Sequence, residues 1–383
     1  SVRHWFKNRP GFWYGGGCVM ENEIITLYPS NWLYNAGVIG LLKVIAYGKG
    51  ENTVEKWLNT DGTVKIERGI FKDSVDFYKN YNNSKGEKGL PLVGKNKRYP
   101  NYLQEGDELD FENYTKTLAD IKKSGDPCGL CTQNFFIDLS HFDDNVKKIN
   151  SRVSSNFQTI HDNLLGPSTG EFPNAFWNLS DSISICPLCS YLIIHHHIPF
   201  EDAKIRNGQI FINAPSFKIM WYLNKYTSKF LSKRNNYQLR EILGISFMEL
   251  AQRIFMTLGV WSIMNIEMII IKEEYDPTKK EMKREANYYS LPYETSRLLL
   301  NKDIASLIKQ TKEDFILEII LNGKFDRLLE LNQKILRYAM TSLSAFEDRY
   351  LSNIRNRDVR SLKNLSAILP KLYVKISSIL KEG

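Results

Sequence analysis

Two pairs of cysteines carry the clearest chemistry in this sequence: Cys128-Gly-Leu-Cys131 and Cys186-Pro-Leu-Cys189. Two residues between thiolates let both sulfurs of a tight turn reach one ion at about 2.3 Å. Four thiolates then complete a closed tetrahedral Zn²⁺ site with no position left for a substrate, so the expected role is structural. Pro127, Gly129 and Pro187 suit the turns that such knuckles need. The segment 132–185 between the pairs is far longer than in a compact zinc ribbon. The site would therefore clasp distant parts of the chain around an inserted loop. Two alternatives use the same residues. One is two unrelated pairs of core cysteines; the other is a thioredoxin-like redox pair, which needs a pair that opens a helix in a βαβ unit, and neither pair reads that way. His195-His196-His197 follow closely, but four thiolates need no further ligand. A strand over Ile193 to Pro199 would face His196 away from its two neighbours and leave these histidines partly exposed.

Other motifs carry less. Gly89-Leu-Pro-Leu-Val-Gly94-Lys95-Asn96 is close to a phosphate-binding loop, but Asn96 stands where a Mg²⁺-ligating hydroxyl belongs and Pro91 has no amide to offer phosphate. His161-Asp162 is a bare dipeptide with only His141 near it in sequence, too few ligands for a metal-dependent phosphohydrolase. No catalytic nucleophile is visible.

The elements that must position the cysteines read as follows. Ser30 can cap a helix running to about Tyr47, in which Leu33, Gly37, Leu41 and Val44 share one face, and Gly37 and Gly40 allow another backbone to come close. Thr63 to Phe71 reads as a strand and Lys72 to Tyr81 as a short helix. Gln209 to Asn213 reads as a strand leading into a helix from Ser216 to Leu231. A strand at Ile263 to Lys272 and a turn at Asp276-Pro277 precede an almost wholly helical end. There, Leu328, Leu331, Ile335 and Ala339 form one apolar stripe. Leu362, Leu365, Leu369, Tyr373, Ile376 and Leu380 form another, kinked at Pro370. The expected class is α+β: a mixed body over 20–275 with a zinc-knuckle insertion at 126–191, then a helical bundle over 276–383.

Ser1 to Tyr14 pack five aromatics with three cations and no acid, and Gly15-Gly16-Gly17 follows as a spacer. Met20 then reads like an ordinary start, so residues 1–19 are expected to be a leader foreign to the domain. The alternative is an aromatic, cationic arm that stacks on single-stranded nucleic acid. Setting the leader aside removes Cys18 and leaves every remaining cysteine in a knuckle pair.

With 43% apolar residues the chain can bury a large core, which excludes disorder and collagen. Its greasiest stretch, Trp261 to Ile271, contains Asn265 and Glu267, so no transmembrane helix is expected. Five cysteines argue against a disulfide framework, and a cytoplasmic location is expected. The net charge of +8 is modest and gathers locally. Lys95, Lys97 and Arg98 lie in a loop over 84–100 with five cations and one acid. Lys225, Lys229 and Lys233 recur every four residues, beside Tyr222, Tyr226 and Phe230, with Arg234 following. Arg360 and Lys363 lie outside the last apolar stripe. Such rows can track a phosphate backbone or can be solvated helix faces.

The run Asn31-Trp32-Leu33-Tyr34-Asn35-Ala36-Gly37-Val38-Ile39-Gly40 resembles the opening of the CRISPR-associated CXXC–CXXC family. The two cysteine pairs, the Ile210-Phe211-Ile212-Asn213 strand and the helical end resemble it too, so the likeness covers roughly Met20 to the end. These proteins are similar to the large subunit of type I (I-B-like) Cascade. The resemblance implies a non-catalytic subunit of an RNA-guided interference complex. Its implied partners are crRNA, PAM-proximal target double-stranded DNA, the other Cascade subunits and a helicase-nuclease, with no membrane. Its rivals are a zinc-dependent nuclease using His141, His161 and Asp162, and a zinc-stabilised scaffold that touches only protein.

Overall fold

The computed structural model describes residues 24–84, 108–123, 128–131, 133, 135–153, 157–158, 182–183, 185–202, 208–232, 238–253, 263–276, 281–341 and 359–381. The expected leader, the loop bearing Lys95, Lys97 and Arg98, the phosphate-loop look-alike and the His161-Asp162 dipeptide lie outside these residues. So do Lys233 and Arg234.

The described elements begin with β1 (Ile24–Leu27), α1 (Trp32–Lys49), α2 (Glu51–Trp57), β2 (Val64–Glu67) and α3 (Ile70–Ser84). Then come α4 (Glu108–Thr117), β3 (Ile121–Lys123), β4 (Phe135–Ile137), α5 (Asp144–Val153), β5 (Phe157–Gln158), β6 (Ser182–Ile183) and α6 (Pro187–Ile194). The body closes with β7 (Glu201–Asp202), β8 (Gly208–Asn213), α7 (Phe217–Leu231), α8 (Leu239–Arg253), β9 (Glu267–Asp276) and β10 (Glu281–Tyr289). Helices α9 (Tyr293–Leu299), α10 (Lys302–Thr311), α11 (Asp314–Leu321), α12 (Arg327–Thr341) and α13 (Val359–Lys381) complete it. The class is mixed helix and sheet with helices at the C-terminal end.

Strands β10-β9-β8-β7 form one antiparallel sheet in that order, and β1 pairs with β2 in another. Alternation sets the second: Ile25 faces Ile66 and Leu27 faces Val64, and all four are buried while the residues between them are less so. In β8 and β9 the pattern is instead continuous, with Ile210 to Ile212 and Met268 to Ile271 all buried, because both faces of that sheet are covered. Asn224 of α7 fixes helix to strand. Its amide accepts from Ile212 N–H at 2.9 Å and donates to the Ile212 carbonyl at 2.8 Å, so a buried polar group is satisfied. Strand β9 pairs with β8 only through Lys272, and its remaining residues pair with β10 as a two-stranded ribbon.

Several local expectations need correction. Asn31, not Ser30, caps α1: its side chain accepts from Tyr34 N–H at 3.0 Å, while Ser30 turns to other partners. The strand expected over Thr63 to Phe71 stops at Glu67, where Arg68-Gly69 turns the chain into α3. Above all, the chain does not become helical after Asp276-Pro277. Residues 281–289 return along β9 as β10, and helix resumes at Tyr293. The charged sequence of β10 hides a strand that needs little apolar content at a sheet edge. The two C-terminal stripes are buried at Leu328, Leu331, Ile335, Leu362, Leu365, Leu369 and Ile376, joined by Leu372 and Ile379. Helix α13 runs through Pro370. Helix α8 packs against α7 on one side and α9, α10 and α11 on the other, so one hydrophobic cluster runs from Ile25 to Ile379. Among the described residues no helix is long and apolar enough to cross a membrane.

The close approach expected at Gly37 and Gly40 is met by α6 and the turn after it. A Cβ on Gly37 would lie 2.4 Å from the Leu192 carbonyl oxygen, and one on Gly40 would lie 2.1 Å from that of His195. Both obstacles are backbone and cannot step aside. Gly40→Ala should therefore destabilise the protein by about 3 kcal/mol, the upper part of the overpacking range. Gly69→Ala, which meets nothing within 4 Å, serves as the control and should shift the denaturant midpoint little.

Candidate metal centre

Each cysteine pair is held by the element beside it. Cys128 to Cys131 form a turn that enters β4, closed by Cys128 N–H donating to the Gln133 carbonyl at 3.1 Å. Gln133 in turn donates its side-chain amide to the Thr26 carbonyl at 3.3 Å, and Ser30 Oγ donates to the Leu130 carbonyl, so the knuckle is stitched to the segment before α1. The second pair opens α6. Cys186 is its N-cap, accepting from Cys189 N–H at 3.4 Å, and Pro187 occupies the first turn, where its missing N–H costs nothing. A pair opening a helix was not expected from the sequence. Its sheet neighbours are antiparallel, however, so the thioredoxin-type βαβ setting is not what surrounds it.

The two pairs converge. All four sulfurs lie within 4.8 Å of one another, and Cys131 Sγ is 3.8 Å from Cys186 Sγ. That is too long for a disulfide, whose S–S bond is about 2.05 Å. It equals the edge of about 3.8 Å of a tetrahedron whose centre lies about 2.3 Å from each sulfur. The cysteines are buried, none more than 6% exposed. Backbone N–H groups of Leu130 and Cys186 donate to Cys128 Sγ at 3.4 and 3.3 Å. Amide donors and the positive end of α6 both favour thiolates. Hydrogen bonds from the Cys131, Cys186 and Cys189 thiols hold Cys128 far below the usual thiol range; its bond to Cys128 pushes Cys186 up, and burial pushes Cys189 up. The donor set, spacing and burial fit a single tetrahedral ion, so these four residues could hold a metal.

The histidines differ from expectation. Residues 187–194 are helix and 195–199 are turns, so no strand forms. His195 and His196 are buried. Their Nδ1 atoms lie 3.0 Å from the Tyr191 carbonyl and 2.8 Å from that of Ile193, so each ring donates to a backbone carbonyl in the last turn of α6. Burial lowers the His195 pKa to about 3, which keeps that ring neutral. An almost wholly buried helix followed by these two inward-turned rings has neither the 2-period nor the 3.6-period that would have announced it.

The basic rows separate under the same scrutiny. Lys225 is not free for phosphate: its ammonium binds Glu51 and lies 3.4 Å from Glu55 of α2. Lys229, one turn on, is exposed, as are Arg360 and Lys363 on α13. The tyrosines beside Lys225 stack on each other at 6.1 Å, with Arg253 over the ring of buried Tyr226. His141 ends a short 3₁₀ turn on the surface.

The residues that the sequence reading missed gather in the opening motif. Asn35 is buried. Its amide accepts from Ser30 N–H and donates to Asn213 at 2.9 Å, and Asn213 donates to Glu267 at 3.0 Å. Trp32 Nε1 donates to Tyr288 of β10 at 3.0 Å. One short stretch of α1 thereby ties the first cysteine knuckle to β8, β9 and β10.

Replacing Cys189 with serine should reduce bound metal to well below one ion per chain, measured on native protein by elemental mass spectrometry, and cost several kcal/mol of stability. Because Cys186 and Cys189 hold their protons above the usual thiol range, protons compete with the ion at both. Metal retention against a chelator should fall as pH drops from about 8 to 5.

No curated protein and no solved structure gives a significant match to this chain. A family model does match part of it, over residues 145–197. That span is well under half of the chain and holds the second cysteine pair, α6 and the three histidines, while the first pair lies outside it. The matched family is described as CRISPR-associated protein (Cas_CXXC_CXXC), which supports placing this chain among the CRISPR-associated CXXC–CXXC proteins.

Proposed function

We propose that this protein is the non-catalytic large subunit of a type I Cascade of I-B-like kind. In this reading it binds crRNA and PAM-proximal target DNA, packs against the other Cascade subunits and helps recruit the helicase-nuclease. The observation that carries the reading is the family match over residues 145–197, set beside a buried four-cysteine cluster of the type for which that family is named. The ion is zinc: four thiolates in a closed, buried tetrahedral site suit a metal that needs no redox change and no open position. Its work is to hold α6 and the β4 knuckle together. Sequence recognition is left to guide–target pairing, while the protein holds the backbone and the short duplex beside the target.

Within that reading, the exposed cations Lys229, Arg360 and Lys363 are the described residues best placed to meet phosphate, whereas Lys225 serves the fold through Glu51 and Glu55. Replacing Lys229, Arg360 and Lys363 with glutamate in the assembled complex should weaken target-DNA binding. It should also flatten the slope of log K against log salt by about 0.9 for each phosphate no longer neutralised. An unchanged slope would argue for a scaffold that leaves DNA to its partners. Alanine at His141, His161 and Asp162 should leave DNA cutting by the recruited nuclease intact; loss of cutting from a complex that still binds DNA would reassign the chemistry to this chain.

A further inference from the structure

The two halves of the cysteine centre are supported unequally. Cys186 and Cys189 stand at the start of α6, where every residue from Leu188 to Ile194 is buried. Cys128 to Cys131 form a turn with no helix behind it, so its position must be set from outside. The segment leading into α1 does this. Gln133 donates to the Thr26 carbonyl at 3.3 Å, and Ser30 Oγ donates to the carbonyl of Leu130. The N–H of Leu130 donates to Cys128 Sγ at 3.4 Å. Leu130 is thus engaged at both backbone groups, one by a ligand sulfur and the other by Ser30.

Asn35 in turn fixes Ser30. Its Oδ1 accepts from Ser30 N–H at 2.8 Å and its Nδ2 donates to the Ser30 carbonyl at 2.8 Å, so one side-chain amide brackets both backbone groups of that serine. Nδ2 also donates to Asn213 Oδ1 of β8 at 2.9 Å. This set asks for one acceptor and two donors on a short side chain. Aspartate lacks the donors, leucine keeps only the shape, and glutamine is one carbon too long. Asn35 is 1% exposed, whereas Ser30 lies at the surface. A serine hydroxyl there could turn to water; it meets Leu130 because its backbone is held from within.

We propose that Asn35 is a positioning residue of the metal centre, acting through Ser30 to set the first cysteine knuckle where four sulfurs can share one ion. The proposal rests on the cysteine quartet being a metal site and is independent of the Cascade reading. Without the bracket, the metal-free knuckle gains freedom that binding must then remove, and affinity falls by that amount.

Ser30→Ala deletes one surface hydroxyl and tests the path at little risk to folding. Zinc retention against a competing chelator should fall about two- to tenfold, the worth of one neutral hydrogen bond. Asn35→Leu keeps the volume and removes all three bonds, and retention should fall about tenfold or more. With cobalt in place of zinc, the visible bands of a tetrahedral site should lose intensity in this variant as the site distorts. Combining the two changes should cost no more than Asn35→Leu alone, because both act on one path. Asn35→Asp, which keeps the acceptor for Ser30 N–H but not the donors, takes its place if Asn35→Leu does not fold, with the same loss expected. Thr227→Val removes an equally buried hydroxyl, bonded to Ser246 of α8 at 2.8 Å, and controls for general loss of stability. It should leave zinc retention and the cobalt bands where they are. The proposal is overturned if Ser30→Ala or the Asn35 variant holds zinc as tightly as the parent, if the two changes add in full, or if Thr227→Val loosens zinc equally. Parent protein that takes up no metal overturns it too, and in that case the quartet has failed as a metal site rather than Asn35 as its positioner.

Discussion

The contact on which the rest depends is backbone against backbone: α1 lying on α6 and the turn after it, at Gly37 and Gly40. Helices ordinarily pack 8–10 Å apart because side chains keep them there. Here two glycines on one face remove that spacer, and the Leu192 and His195 carbonyls occupy the room where Cβ atoms would be. The approach fixes where α6 begins, and its first turn carries Cys186 and Cys189. The other end of α1 fixes the first knuckle through Ser30 and Leu130. The cysteine quartet is thus assembled by a helix that contributes none of its ligands.

This gives the opening motif a physical account, residue by residue. Asn31 caps the helix, Trp32 reaches β10, Asn35 bonds Asn213 of β8, and the two glycines receive α6. Tyr34 stands among them inside the core. Five different interactions are spaced along three turns of one helix, which leaves little freedom of residue type in that stretch. The polar members are tolerated in a buried setting only because Asn35 and Asn213 satisfy one another and their neighbours.

Legibility from the sequence followed the physics. The cysteine quartet was plain because metal ligation imposes a spacing that few other roles share. Helix α7 and strand β8 were plain because a serine cap and a β-branched run are local signals. What escaped notice was non-local. A charged edge strand, β10, looks like loop or helix until its partner is known. The histidines at the end of α6 look exposed until the carbonyls they bond are seen. The pairing of Lys225 with α2 was invisible for the same reason, since periodicity along one helix says nothing of the acids that another brings to it.

The order in which a ribosome releases this chain gives the cysteine centre a history. Cys128 and Cys131 emerge before segment 132–185 and must wait for Cys186 and Cys189, which at about 5–20 residues per second is an interval of roughly 3–12 s. Throughout it α1 is already made but α6 is not, so the glycine face and the first two thiols stand open together. Closing the site afterwards ties off the whole intervening segment at once, and the chain entropy given up in that closure grows only slowly with its length. A long insertion between the pairs is therefore cheap to hold and slow to complete. The vulnerable moment for these thiols falls during synthesis, before the fold exists to bury them.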